Sequence, residues 1–239
     1  MSQRSSPPQA AYPPRFPRAA RTRDPILGLD VHPDCAAAVV RTGRLLEGLG
    51  HRVEEDHPRA LTHLLHPIAD DLAAMVALTR ASQAAWLARQ LGRVLRDGDL
   101  EPGTLTQLRA GPAPTRQRAA QAAEHVREAA ARPLCWWDDH DILVTPVMRQ
   151  PPWPLGEHPG IQHAGAFCFP SSLSGQPALS LPLASTHDGI PVGVQLVARR
   201  GADEHLLALA ADLEAQAPWP TVWLPARSDA PRGPTTTAA

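Results

Sequence analysis

Residues 174–197 read SGQPALSLPLASTHDGIPVGVQLV, and their pattern decides the fold. Residues 179–183 alternate with a period of two, and residues 190–196 do the same. A period of two is typical of strands, because successive side chains of a strand point to opposite faces. The turn signal STHDG lies between the two runs. The stretch therefore predicts a β-hairpin, and its prolines at 182 and 191 favour edge or irregular pairing.

Helices and strands also alternate through the rest of the chain. The run DILVTP at 141–146 predicts a buried strand, because it is short, apolar and ended by a proline. Loops are predicted at 97–103 and before the hairpin. The remaining predicted elements are helices at 33–49, 115–131 and 202–215, a mainly helical region at 61–97 and a short strand at 51–54.

Composition excludes several classes of protein. The chain has 239 residues, 43% of them hydrophobic, so it can bury a core, and its net charge is −1. This balance predicts neither a nucleic-acid partner nor a membrane surface as partner. The three cysteines are odd in number and none is spaced as CxxC, which indicates reduced thiols and a cytoplasmic location. Residues 1–20 and 226–239 are predicted to be a disordered leader and tail around one region at 21–225.

Three segments together resemble the later half of the amidase-signature family. The first runs from TRDP at 22–25 to LLEGLGH at 45–51, and the second comprises DILVTP and PPWPLGE at 151–157. The third and most specific runs from FCFPSSLSGQPALSLPL at 167–183 to DGIPVGVQLV at 188–197. The resemblance implies an α/β fold, here a partial α/β/α layered domain with a mixed sheet that is incomplete relative to the family.

The resemblance also implies amide hydrolysis by a serine nucleophile, a second serine in a cis peptide and a lysine. A loop rich in glycine and serine supplies the backbone N–H groups for the oxyanion. All of these lie in the family's earlier half, upstream of where this chain begins to match. No catalytic residue, metal or cofactor is therefore expected in the chain.

The lysine cannot be replaced from within this sequence. All 23 basic residues are arginine, there is no lysine, and no GGSSGG-like run occurs. Burial can make a lysine neutral and basic, whereas arginine stays protonated in proteins. We therefore predict a truncated pseudoenzyme without activity alone, from a GC-rich, bacterial gene whose upstream half was lost, split off or frameshifted. The strand before Thr22 is expected to be damaged by Pro17 and Arg18.

Substrate contacts are expected in the two segments that face the family's pocket. The implied substrate-binding residues are Thr145, Pro146, Phe167, Ser172, Gly175 and Gln176. Ser172 departs from the family, which usually has asparagine there. Ser171 with Ser172, or Cys168, are weaker alternatives for a nucleophile. A loop before the hairpin is favoured for the two serines, and packing as a small apolar residue is favoured for the cysteine.

Other clusters favour ordinary structural roles. His63, His66 and Asp70, and the run DDHD at 138–141, match no known metal spacing and are interpreted as surface or loop. The pair Trp136-Trp137 is expected to cover the core, with a substrate wall as the alternative.

Two hypotheses of function remain open, beside the alternative of a pseudogene product that folds poorly. The first is an amidase-derived fragment that is inactive alone. The second is a non-catalytic protein, which either complements a separately encoded N-terminal amidase half or binds a small ligand. An exposed sheet edge needs a cover, so such a partner half or a homo-oligomer is expected.

Overall fold

The computed structural model describes residues 18–21, 30–62, 64, 66–109, 113–155, 157 and 167–219. The predicted tail at 226–239 and nearly all of the predicted leader lie outside the described residues. So do the first motif TRDP at 22–25 and His63.

Strands and helices alternate along the described chain. The strands are β1 Arg18–Arg21, β2 Arg52–Glu55, β3 Ile142–Pro146, β4 Ala178–Ser185 and β5 Pro191–Ala198. The helices are α1 Pro33–Gly48, α2 Ala69–Leu91, α3 Pro102–Arg109, α4 Arg116–Ala131, α5 Phe169–Ser174 and α6 Asp203–Gln216. Short 3₁₀ helices occupy Arg59–Leu61, His66–Ile68 and Arg132–Asp138.

The strands form one mixed sheet in the order β2-β1-β3-β5-β4. β1 is parallel to β2 and β3, whereas β5 is antiparallel to β3 and β4. Helices α1 and α6 pack on one face of the sheet, around residues such as Val144 and Leu196. The opposite face carries Leu143 and Val197 and packs against α4 and the 3₁₀ helices. The predicted α/β fold with a mixed sheet is confirmed.

The hairpin is also confirmed. Its turn is closed by bonds from the Thr186 N–H to the Ile190 carbonyl and from the Gly189 N–H to the Thr186 carbonyl, both 2.9 Å. Gly189 has a φ of 81°, a conformation that glycine adopts without steric cost. β4 lies at the sheet edge, and its register shifts between Leu181 and Ala184, around Pro182. The expected irregular pairing arises because this proline has no N–H for the ladder.

The expectation of a damaged first strand is wrong. Arg18–Arg21 pairs with β2 on one side and β3 on the other. The described strand Arg18–Arg21 contains no proline, so each of its residues has an N–H for the ladder. Ala19 and Ala20 are 1% and 0% exposed, and Arg18 donates its backbone N–H to Asp141 Oδ2 at 2.9 Å. The charged residue thus lies at the strand end, where Asp141 contacts it.

Most predicted helices are observed close to their expected bounds. α1 begins after His32, whose Nδ1 accepts the Asp34 N–H at 3.2 Å, and Gly50 follows its end with a φ of 90°. The helical region predicted at 61–97 is shorter in the structure, because 3₁₀ turns precede α2 and Gly92 ends it with a φ of 64°. None of the described helices is both long and apolar enough to cross a membrane.

Two short helices replace predicted loops. α3 begins at Pro102 within the loop expected at 97–103, and α5 occupies the loop expected before the hairpin. Proline suits both starts, because the first turn of a helix needs no backbone donor. Helix α4, predicted at 115–131, buries a face made mainly of alanines, such as Ala122 and Ala129.

A buried carboxylate joins α2 to α4. Asp71 is 8% exposed, and its oxygens lie 2.7 Å from the Arg118 guanidinium and 2.6 Å from His125 Nδ1. The hydrogen bond from Arg118 lowers the pKa of Asp71 below its ordinary value of 3.8, and the bond from His125 adds to this. A lowered pKa means that the charged form stabilises the fold above the ordinary pKa. That contribution is lost as the pH falls below about 4.

We expect Asp71→Asn to lower the midpoint of thermal unfolding at pH 7 and to remove part of the acid sensitivity. The difference in unfolding midpoint between this variant and the unmodified chain should shrink as the pH is lowered from 7 to 3. Circular dichroism at several pH values measures it. Asp70→Asn is the matched control, since Asp70 is exposed in the same helical turn. Equal effects of the two variants would contradict this account.

Candidate functional site

A concavity lies on the face of the sheet opposite α1 and α6. The space between its lining atoms is about 340 Å³, a figure that includes open solvent, so the cavity itself is much smaller. Its apolar wall includes Leu61, Trp137, Leu143, Phe167 and Val197, together with three prolines at 58, 133 and 170. The polar groups on its surface are Thr145, Ser171, Gln176 and Gln195, and none of them is ionisable at neutral pH.

Gln195 organises the floor of this cavity. The residue is 4% exposed, and its Nε2 donates to Thr145 Oγ1 at 3.1 Å and to the Phe167 carbonyl at 2.9 Å. Thr145 lies opposite Gln195 in the β3–β5 ladder, so its hydroxyl is directed to the same face. The amide therefore joins two strands to the segment that precedes α5.

A second set of hydrogen bonds fixes α5 and the residues after it. The Ser171 hydroxyl donates to the Cys168 carbonyl at 3.0 Å, and the Ser174 hydroxyl donates to Gln176 Oε1 at 2.9 Å. Gln176 Nε2 in turn donates to the Ala198 carbonyl at 3.1 Å, at the end of β5. The polar side of the cavity is thus held by bonds to the backbone of β5 and α5.

The sequence matches the Amidase family profile over residues 9–207. This match covers most of the chain. The chain belongs to the amidase family.

Individual members of this family show the extent of the match. The chain is 32% identical over 216 residues to the 6-aminohexanoate-cyclic-dimer hydrolase of Paenarthrobacter ureafaciens. The alignment covers 83% of this chain and 43% of that protein. The protein of the same description from Pseudomonas sp. (strain NK87) is 31% identical with the same coverage. The chain thus spans less than half the length of these relatives.

The fold is similar to that of a solved hydrolase with the same description as these relatives. The structure of 6-aminohexanoate cyclic dimer hydrolase complexed with substrate superposes with a TM-score of 0.77 at 27% identity. The superposition covers 89% of this chain and 49% of that one. The mixed sheet and its helices are therefore arranged as in a solved member of the amidase family.

The structure brings together some of the residues of this amidase chain that were expected to contact a substrate. Thr145, Phe167 and Gln176 line the cavity. Pro146 is fully buried, and Ser172 and Gly175 are exposed, so these three lie outside the lining. Sequence reasoning missed Gln195, although a glutamine in an otherwise apolar strand is a signal, because buried polar residues need partners.

The two alternatives for a nucleophile differ in their surroundings. Ser171 lines the cavity, but no His, Asp or Glu accompanies it in that lining, so the described cavity offers no general base. Cys168 is half-buried, and burial raises the pKa of its thiol, which disfavours the reactive thiolate. Both residues contact neighbouring backbone carbonyls, which is consistent with the structural roles favoured from sequence.

The clusters interpreted as surface or loop also have defined positions. His66, just before α2, and Asp70, at its start, are exposed as expected. In the run at 138–141, however, His140 is only 7% exposed, so the interpretation as surface or loop is wrong for that residue. Across the described ranges, no three His, Cys, Asp or Glu side chains are grouped so as to hold a metal ion. Trp137 is 6% exposed and lines the cavity, so it both covers the core and forms a wall.

Proposed function

We propose that this chain provides a substrate-binding surface of an amide hydrolase and does not cleave amides by itself. The observation that carries the proposal is chemical. The cavity presents amide and hydroxyl groups within an apolar wall, and the whole sequence contains no side-chain amine. Membership in the amidase family supports amide chemistry for the protein as a class.

The missing step is the activation of a nucleophile. A hydroxyl attacks a carbonyl only after a base has taken its proton. Lysine serves as such a base when burial lowers its pKa, whereas the 23 arginines of this chain stay protonated. The lining of the cavity adds no imidazole or carboxylate in the part that the structure describes. Binding without turnover is therefore the expected behaviour.

The lining also indicates the class of ligand. Because it has no charged side chain, a charged ligand loses its hydration without gaining a partner. An uncharged amide with methylene groups suits such a wall, and the partly buried amide of Gln176 is placed to hydrogen-bond with it. Gln195 shapes the wall instead, because both of its N–H groups are used within the protein. The hydrolases that resemble this chain are named for the cyclic dimer of 6-aminohexanoate, an uncharged diamide. We propose this class of compound as the ligand.

The purified chain is expected to bind the cyclic dimer and to release no amine from it. Calorimetry measures the binding, and a colorimetric assay for primary amines measures hydrolysis. The rate of amine release should equal that of a variant carrying Ser171→Ala and Ser172→Ala, because no serine in the chain has a lysine as its base. Amine release by the unmodified chain above that control would overturn the inactive interpretation.

A second candidate is a complementing subunit. The chain spans 43% of the length of the first relative named above. In this second proposal, a polypeptide with the family's lysine and serine residues supplies the remaining chemistry. A homo-oligomer would not do so, because every copy lacks lysine. Adding such a polypeptide to the purified chain should start amine release. We further propose a reducing, cytoplasmic compartment, which the free thiols of Cys35, Cys135 and Cys168 support.

A further inference from the structure

We propose that four residues outside the cavity form a positioning cluster that sets the place of Trp137 in the cavity wall. The cluster comprises Glu54, Asp56, Trp136 and His140, and none of them lines the cavity itself. The inference rests on the proposed function, because it assigns a determinant of affinity to the same amide-binding cavity.

First, an imidazole joins a carboxylate to an indole. His140 is 7% exposed, and its Nε2 lies 2.6 Å from Glu54 Oε1. Its ring stacks on Trp136 with a centroid distance of 3.9 Å and an interplanar angle of 3°. Trp136 Nε1 donates to Asp56 Oδ2 at 2.8 Å. Each of the two stacked rings is thus bonded through a ring nitrogen to a carboxylate, from β2 or from the residue that follows it.

Second, Trp136 packs against Trp137 and so restricts the orientation of the Trp137 ring. The two indoles meet edge to face, with centroids 5.0 Å apart and planes at 89°. Both belong to the 3₁₀ helix Arg132–Asp138. A 3₁₀ helix has weaker hydrogen-bond geometry than an α-helix, so its side chains depend on contacts from outside it. The positioning cluster supplies such contacts for this segment.

Third, the positioning cluster joins the two segments that form one side of the cavity. Pro133 and Trp137 reach the cavity from the 3₁₀ helix, and Pro58 and Leu61 reach it from the chain just after Asp56. The bonds from Glu54 and Asp56 to His140 and Trp136 hold these segments together. Loosening them widens the wall, so the ligand loses contact with Trp137.

The test combines an aromatic probe with a binding measurement. The full chain is labelled with 5-fluorotryptophan, and the Trp137 resonance is assigned with Trp137→Phe. Glu54→Ala and His140→Ala should shift the Trp137 resonance in the ligand-free chain. Both should also raise the Kd for the cyclic dimer by about two- to tenfold, which corresponds to the loss of one aromatic contact. Glu128→Ala, an exposed change on α4, should alter neither quantity.

A double-mutant cycle separates positioning from general stability. If the cluster acts through Trp137, Glu54→Ala should raise Kd no further once Trp137→Phe is present. Glu54→Gln keeps an acceptor for His140 and should restore most of the affinity. Additive losses in the cycle, or an unchanged Trp137 resonance in both alanine variants, would overturn the inference. If the unmodified chain does not bind the cyclic dimer, the proposed function is wrong, and the Trp137 resonance alone decides on the cluster.

Discussion

Replacing Leu196 by alanine should lower the free energy of unfolding by about 2–5 kcal/mol, the usual cost of a cavity at a buried leucine. Leu196 is fully buried in β5, on the face covered by α1 and α6. Its strand is hydrogen-bonded on both sides, so the backbone has little freedom to close the space left behind. Denaturant unfolding, followed by circular dichroism, measures the change.

The matched control for this variant is Leu207→Ala. Leu207 is 62% exposed on α6, so its replacement should change the free energy of unfolding by less than about 0.5 kcal/mol. The dependence on denaturant concentration should stay the same in both variants, because the surface exposed on unfolding hardly changes. A small loss for Leu196→Ala would mean that the helices on this face do not pack on the sheet.

Gln195→Leu should lower the free energy of unfolding by about 1–3 kcal/mol, although leucine is the more hydrophobic side chain. The substitution removes the donor for Thr145 Oγ1 and for the Phe167 carbonyl. A buried carbonyl without a donor loses its hydration and gains nothing in return. We also expect weaker binding of the cyclic dimer, because Phe167 and Thr145 line the cavity that Gln195 holds together.

Gln90→Leu is the control for this second variant. Gln90 is exposed on α2 and carries the same change of side chain without burial. Its stability should differ little from that of the unmodified chain. If Gln195→Leu proves as stable as the unmodified chain, water must replace the lost donor, and the cavity floor is less rigid than the hydrogen bonds indicate.

The elements with strong local signals were predictable from the sequence. The hairpin has two runs with a period of two around a glycine turn, and β3 is an apolar run ended by a proline. α3 and α5 were not predicted, because a proline signals a turn and a helix start equally well. The strand at Arg18–Arg21 was misjudged for a different reason. Its stability comes from pairing on both sides, which local propensity does not measure.

The site was predictable only in part. Thr145, Phe167 and Gln176 were expected to contact a substrate; they line the cavity, and their contact with a substrate stays a prediction. Trp137 was assigned to the core with a wall as the alternative, and it contributes to both. Gln195 and the positioning cluster were not anticipated. Their partners lie far away in the chain, as the separation of 86 residues between Glu54 and His140 shows.

Composition and local pattern alone established that this chain alternates helices with strands and has no side-chain amine. These properties belong to single residues or to neighbours, so no folding is needed to recognise them. Only the tertiary structure decided which strand is central, which face Gln195 occupies, and how Trp137 meets the cavity. A hydrogen bond such as that from Gln195 to Thr145 joins residues 50 positions apart. Such a contact forms only when the sheet places both strands side by side, and the order of the residues does not specify it.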